Sequence, residues 1–359
     1  MELQTMDSDL NAAPELAEAD LIWINVRKEP FHIYGVYYDK GEGRFVRMPR
    51  EVAAAVSKDV LCHYNNTAGG RVKFRTDSTY IAIKAVMDNT KLMNHIPLTG
   101  QSGFDLYRKT EAGDIFFHTF RPPMGVSEGY SAGTYTDGKM YEYTVNFPLY
   151  DRVKELYVAL KRGSHLEAAA PYRHEKPIVY YGSSITQGGC ASRPGNAYQA
   201  YISRRLDVDH INLGFSSGAK GEETMIAYMA SLDMSVFVCD YDHNAGTAEH
   251  LKKTLGPVYR GIRTAHPDVP IILVSATDVL IKGNNRPWNE AFVDRLDIVR
   301  HVYEEGIAAG DQNLYFVSGA DLFAGECWDS CTVDDTHPND LGFYRIAMGL
   351  EKVIKPLLK

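Results

Sequence analysis

Pro177-Ile178-Val179-Tyr180-Tyr181-Gly182-Ser183-Ser184-Ile185-Thr186-Gln187-Gly188-Gly189 is the stretch whose reading decides the fold. A short apolar run stops at a glycine and two hydroxyl residues, and a helix-like segment follows. In α/β proteins this is how a serine is presented at the carboxyl end of a strand. Ser184 is therefore read as a nucleophile. Serines beside a glycine are also ordinary turn residues, so the stretch has to be weighed with the rest of the chain.

Downstream the texture repeats. Apolar runs at 210–214 (HINLG), 234–240 (MSVFVCD), 270–275 (PIILVS) and 313–318 (NLYFVS) alternate with helical patterns at 196–206, 222–231, 247–265, 288–309 and 341–358. Strands that are apolar almost throughout, each followed by a helix, predict a parallel sheet covered on both faces. Ligands of such sheets bind beyond the carboxyl ends of the strands. The expected catalytic half is thus a three-layer, flavodoxin-like domain over 173–359.

Upstream, from 21 to 160, the pattern is different. Segments such as FHIYGVYY, GFDLYRKT, DIFFHTF and KMYEYTVNF alternate in polarity and are rich in Tyr, Phe, Val and Ile, with Gly, Asp and Asn between them. That is the pattern of half-buried antiparallel strands, and no long helical period interrupts it. An all-β, jelly-roll-like sandwich over 1–172 is expected, with a linker at 161–176, where the alternation is lost. Tyr130, Tyr135, Tyr141 and Tyr143 are read as residues filling a sheet face, with a sugar-binding face as the competing use.

The 359 residues, 45% of them hydrophobic, suffice for full cores, and the length favours two domains. A net charge of -8 argues against nucleic acid as a partner, since phosphate backbones are held by Lys and Arg. A small neutral or cationic substrate suits it better. No run is long enough for a membrane span. The acidic first twenty residues hold neither a basic nor an apolar leader region, so the chain as given is expected to carry no signal peptide. The location is then periplasmic or secreted if a leader was removed, and cytoplasmic otherwise.

Cys62, Cys190, Cys239, Cys327 and Cys331 match no zinc spacing. Cys239 reads as a buried small hydrophobe, and Cys190 could pair with Cys331 or Cys327 if their loops meet. His210, His243 and His301 have no metal-like spacing, and Gly188-Gly189 is not part of a dinucleotide or phosphate loop, so no metal or cofactor is implied.

The residues following the apolar runs are Ser184, then Gly214-Phe215-Ser216-Ser217-Gly218, then Asp242-His243-Asn244, then Asp334-Asp335-Thr336-His337-Pro338-Asn339. An acyl-transfer site needs a hydroxyl, a base, an acid to orient the base, and donors for the oxyanion. All four types fall at one edge of the expected sheet. Asp334 and His337, three apart, could set a carboxylate against one ring nitrogen while the other faces Ser184.

In these blocks and their order the chain resembles the SGNH or GDSL hydrolases. The resemblance places Gly182-Ser183-Ser184 at the serine motif, Ser217 at the second-block glycine, Asn244 in the third block, and Asp334 with His337 in the DxxH block. Gly103-Phe104-Asp105-Leu106-Tyr107 resembles the GxDLY signature of the β-sandwich domain that precedes one subfamily. It implies a serine esterase with Ser184, His337 and Asp334 catalytic, and with Ser184, Ser217 and Asn244 forming the oxyanion hole. The implied substrate is a small-molecule or carbohydrate ester, with deacetylation of carbohydrate first, a short-chain carboxylesterase or lipase second, and a catalytically weak carbohydrate-binding protein third.

The chain departs from the pattern at several positions. Ser183 replaces the Asp of the serine motif, and Ser217 stands for glycine, with Gly218 next to it. Asp242 and Ala245 take the glycine and Asp places of the third block. Asp242 and His243 are read as stabilising their loop, with substrate contact as the alternative, and Asp335 is the next choice should the DxxH loop be shifted.

Overall fold

The computed structural model describes residues 18–88, 91–277 and 289–358, with the backbone alone for 289–293. The reading of residues 1–17 and the start of the helical pattern at Trp288 lie outside the described residues. The chain forms two compact units: Met1–Arg47, Asn65–Tyr172 and Ser192–Gly195 make the first, and Met48–Tyr64, Arg173–Ala191 and Asn196–Lys359 the second.

Among the described residues the first unit holds two large antiparallel sheets and a two-stranded one, Tyr37–Asp39 with Arg44–Val46. One large sheet runs Leu21–Asn25, Val153–Lys161, Tyr80–Met87, Gly129–Tyr135, and the other Leu166–Glu167, Arg71–Thr76, Tyr141–Asn146, Phe104–Thr110, Gly113–Phe120, with His32–Tyr34 also paired to Arg71–Thr76. Period-2 alternation sends Val72 and Phe74, Ile81 and Ile83, Phe104 and Leu106, and Val145 into one core. The central strand Tyr80–Met87 is covered on its other face too, where Tyr80 and Ala82 meet Trp23 and Ala159.

The four tyrosines do not share a face. Tyr130 and Tyr143 are core residues, Tyr141 packs on the core, and Tyr135 is exposed and bonded to Glu18. Within the segment expected to be a linker, Leu166–Glu167 pairs with Thr76 and Arg75, and the Tyr172 hydroxyl accepts from Arg71 Nε at 3.0 Å.

The GFDLY stretch is a strand whose two faces do different work. Phe104 and Leu106 fill the core, while Asp105 and Tyr107 hold Ser192–Gly195. Asp105, with no exposed surface, accepts from Gly195 N at 2.8 Å, Arg193 Nη1 at 3.1 Å and Asn146 Nδ2 at 2.7 Å. Tyr107 accepts from the same Arg193 nitrogen. Gly103 has to be glycine because a Cβ there would stand 2.3 Å from the Thr99 carbonyl oxygen.

The second unit centres on a five-stranded parallel sheet in the order Val208–Gly214, His174–Gly182, Val236–Asp240, Ile271–Val274, Leu314–Val317. Numbered along the chain this is 2-1-3-4-5, the flavodoxin-like winding. Val236–Asp240 and Ile271–Val274 are buried at every residue, as a sheet covered on both faces requires. Helices Tyr198–Leu206 and Asp340–Ile354 pack together, and Ala248–Ala265 packs with both Glu223–Ala230 and Asn289–Ala308.

Two short helices, Arg50–Val56 and Lys58–His63, break the all-strand reading of the first half and belong to this second unit. Ala53-Ala54-Ala55 favours the first helix, and Ser57 caps the second by accepting from Val60 N. Each buries only one side chain, Ala53 or Val60, so the pair is too short to show a helical period in the sequence.

Candidate active site

The strand His174–Gly182 delivers Ser184 by a turn that the sequence dictates closely. A Cβ at Gly182 would lie 2.3 Å from the Asp240 carbonyl oxygen, so only glycine fits. Ser183 is fully buried, and its hydroxyl accepts from Ile185 N at 3.2 Å, capping helix Ser184–Gln187. Serine and aspartate are both strong N-cap residues, so Ser183 performs a capping task open to either. Gly188, at φ 116°, closes this single turn.

His337 reaches the serine from the loop before helix Asp340–Ile354. Its Nε2 lies 2.8 Å from Ser184 Oγ, and its Nδ1 lies 2.8 Å from Asp334 Oδ2. Asp334 Oδ1 also accepts from the backbone N–H of His337 at 2.7 Å, so one carboxylate fixes both the ring and its turn. Burial raises the Asp334 pKa, but the hydrogen bonds from His337 and Thr336 outweigh it and hold the carboxyl below its ordinary value. With Nδ1 protonated toward Asp334, Nε2 carries the lone pair that can take the serine proton.

Asp335 is not on this line. It sits at φ 64°, where the loop turns, and its carboxylate accepts from the Thr336 hydroxyl. The loop is anchored by Cys190 N donating to Pro338 O at 2.9 Å and by Asn339, which caps the following helix at Gly342.

The second block docks on helix Ser184–Gln187. Phe215 N donates to Gly182 O at 2.9 Å, and Ser216 N donates to Gln187 Oε1 at 2.9 Å. Gly214 passes so close that a Cβ would lie 2.1 Å from Gln187 N. Ser217 adopts φ 59°, and its N–H meets no acceptor among the described residues. Gly218 lies against Val60, with only 3.2 Å from a Cβ at Gly218 to the Val60 backbone.

The third block joins the second through Asn244, whose Nδ2 donates to Phe215 O at 2.8 Å. Asn244 belongs to a single turn of 3-10 helix, Asp242–Ala245. Asp242 is buried and accepts from Ala276 N at 2.7 Å, which ties the loop to the next strand end. Asp240, Asp242 and His243 bring ligand-type atoms within 4.8 Å of one another, so these three could hold a cation, although one Asp242 oxygen is engaged by Ala276.

The remaining predicted features fall elsewhere. His210 is buried beside Tyr180, and His301 pairs with Glu305 along its helix. All five cysteines are free, so Cys190 is bonded to neither Cys327 nor Cys331. Cys190 is buried, and burial pushes its thiol up to about 12. Cys239 is buried as expected of its apolar run. Gln187, whose side chain accepts from Ser216 N, carries little signal in the sequence. Only its place in the third helical residue after Ser184, facing the second strand end, marks it.

A family model for the GDSL-like lipase/acylhydrolase family matches residues 175–355. The chain belongs to that family. A second model, for the GxDLY N-terminus of SGNH-hydrolase-type esterases, matches residues 21–166 of this GDSL-like protein. No curated protein matches the chain.

Among solved structures it is similar to a GDSL-like lipase from Bacteroides ovatus, with 25% identity, TM-score 0.84, and 94% of this chain and 98% of that one covered. The salicylyl-acyltransferase SsfX3 from a tetracycline biosynthetic pathway has 18% identity and TM-score 0.73 over 95% of this chain and 98% of its own. An acetyl xylan esterase from the rumen bacterium Butyrivibrio proteoclasticus has 11% identity and TM-score 0.58 over 94% and 98%. At such identities the last two likenesses show a shared fold alone. Among the described residues no helix is long and apolar enough to cross a membrane.

Proposed function

We propose that this GDSL-like hydrolase is a serine esterase that removes acetyl groups from carbohydrate through an acyl-enzyme on Ser184. The observation that carries the reading is the continuous line Ser184 Oγ to His337 Nε2 to Asp334, with both spacings at 2.8 Å. Ser184 Oγ bonds to the acyl carbon while its proton passes to His337 Nε2, and Asp334 stabilises the imidazolium. The negative carbonyl oxygen is received by the N–H groups of Ser184 and Ser217 and by the Asn244 amide hydrogen not given to Phe215.

Collapse of the adduct breaks the bond to the alkoxy oxygen, which leaves as the alcohol with the proton from His337. Water then adds to the acyl carbon and gives its proton to His337. Acetate departs as Ser184 recovers that proton.

The acetyl-carbohydrate part of the reading is supported by the family membership, by the GxDLY domain upstream, and by the acetyl xylan esterase among the structures sharing this fold. The test is turnover of p-nitrophenyl acetate, followed by mass-spectrometric screening of acetylated oligosaccharides against lipid esters. Ser184→Ala is expected to abolish turnover and keep the fold. Full activity in that variant sinks the nucleophile, and release of fatty acids alone replaces the carbohydrate by a lipid ester.

A further inference from the structure

We propose that Arg295 is a positioning residue for the oxyanion hole, acting through the backbone of the turn that carries Asn244. Its guanidinium is buried and donates two hydrogen bonds in different directions: Nη1 to Asp242 O at 2.6 Å and Nη2 to Gly246 O at 2.8 Å. These two carbonyls bracket Asn244, one at the start of the 3-10 turn and one immediately beyond it. A guanidinium presents its donors in a fixed plane, so it spans two acceptors without the freedom of a lysine ammonium.

Within the turn region Asn244 N donates to Tyr241 O at 2.9 Å and Thr247 N to Ala245 O at 2.7 Å; the turn itself is short. It is four residues long, and Gly246, which ends it, has φ 71° and open space where a Cβ would stand. The Asp242 carboxylate pins the opening end to Ala276 N, and the Asn244 amide spends one hydrogen on Phe215 O. Arg295 joins both ends of the turn to helix Asn289–Ala308. A shift of the turn by a fraction of an ångström would move the second amide hydrogen of Asn244 off the oxyanion, and rate is steeply sensitive to such displacements.

This inference rests on the reading of Asn244 as an oxyanion donor, and a double-mutant cycle separates the two. Arg295→Lys, Asn244→Ala and their combination are assayed with p-nitrophenyl acetate on the full chain. Asn244→Ala is expected to lower kcat by about 100- to 1,000-fold. Arg295→Lys is expected to lower kcat by about 10- to 100-fold with KM nearly unchanged. In the Asn244→Ala background the same Arg295→Lys change costs less than about threefold, because the group it positions is already gone.

Equal losses in both backgrounds would show Arg295 to be scaffolding alone and overturn the proposal. A negligible effect of Asn244→Ala would remove the oxyanion reading first, and the proposal with it. Should Arg295→Lys fail to fold, Arg295→Gln, which keeps a neutral donor, carries the same cycle. Thermal midpoints taken alongside must not track the kcat loss.

Discussion

Asp334→Asn is the perturbation that most sharply separates orientation from simple charge. In the native loop both carboxylate oxygens accept, Oδ2 from the His337 ring at 2.8 Å and Oδ1 from the His337 backbone N–H at 2.7 Å. An asparagine has one acceptor and one donor for two sites that both demand acceptors. If its oxygen keeps the backbone N–H, its NH2 faces Nδ1, and the ring must carry its proton on Nε2. That nitrogen then has no lone pair for Ser184.

The expected loss in kcat is about 10³- to 10⁴-fold, the scale of a wrong tautomer in a serine triad. Asp334 is about one-third exposed, so a water can replace the carboxylate when it is removed outright. Asp334→Ala should therefore retain at least about tenfold more activity than Asp334→Asn. Steady-state turnover of p-nitrophenyl acetate, with folding checked by circular dichroism, reads both. An Asn variant as active as the parent, or an Ala variant far worse than Asn, would refute the tautomer argument.

Two further predictions concern stability. Burial raises the Asp311 pKa, but hydrogen bonds from Asn313 N, the Tyr259 hydroxyl and Arg263 outweigh it and hold the carboxyl below 3.8. Its stabilisation is full above the unfolded value and lost as pH falls through the lower folded value; the fall in melting temperature between about pH 5 and pH 2 should thus be smaller in Asp311→Asn than in the parent, and an identical acid limb would contradict this. Asp105→Ala leaves Gly195 N, Arg193 and Asn146 facing a buried gap, so it should destabilise the first unit by about 3–5 kcal/mol, seen in calorimetry as an earlier transition; a change under about 1 kcal/mol would mean those donors find other partners.

Much of the second unit was legible because a parallel sheet covered on both faces makes its strands apolar throughout. Tyr180, Val238 and Ile272 are buried together, so periodicity was not needed to find them. The serine turn was legible too: Gly182 and Ser183 are the residue types that a close approach and a cap require. What could not be read depends on long-range geometry. The helices Arg50–Val56 and Lys58–His63 bury one residue each, too few for a pattern, and nothing local says that Val60 supports Gly218.

Ser217 was placed by register alone. Its left-handed φ of 59° is a conformation that glycine adopts more readily, and the neighbouring Gly218 packs tightly on Phe215 and Val60. Arg295 carried no signal at all, because an arginine in a polar helix looks solvated until the carbonyls it meets, more than forty residues earlier in the chain, are known.

The central claim, an acyl-enzyme on Ser184, is tested most directly by trapping. The full chain is treated with a fluorophosphonate, digested, and the modified peptide sequenced by mass spectrometry. A single adduct on Ser184, absent from Ser184→Ala and sharply reduced in His337→Ala, is the predicted result. An adduct on Ser183 or Ser217, or labelling that survives Ser184→Ala, would contradict it.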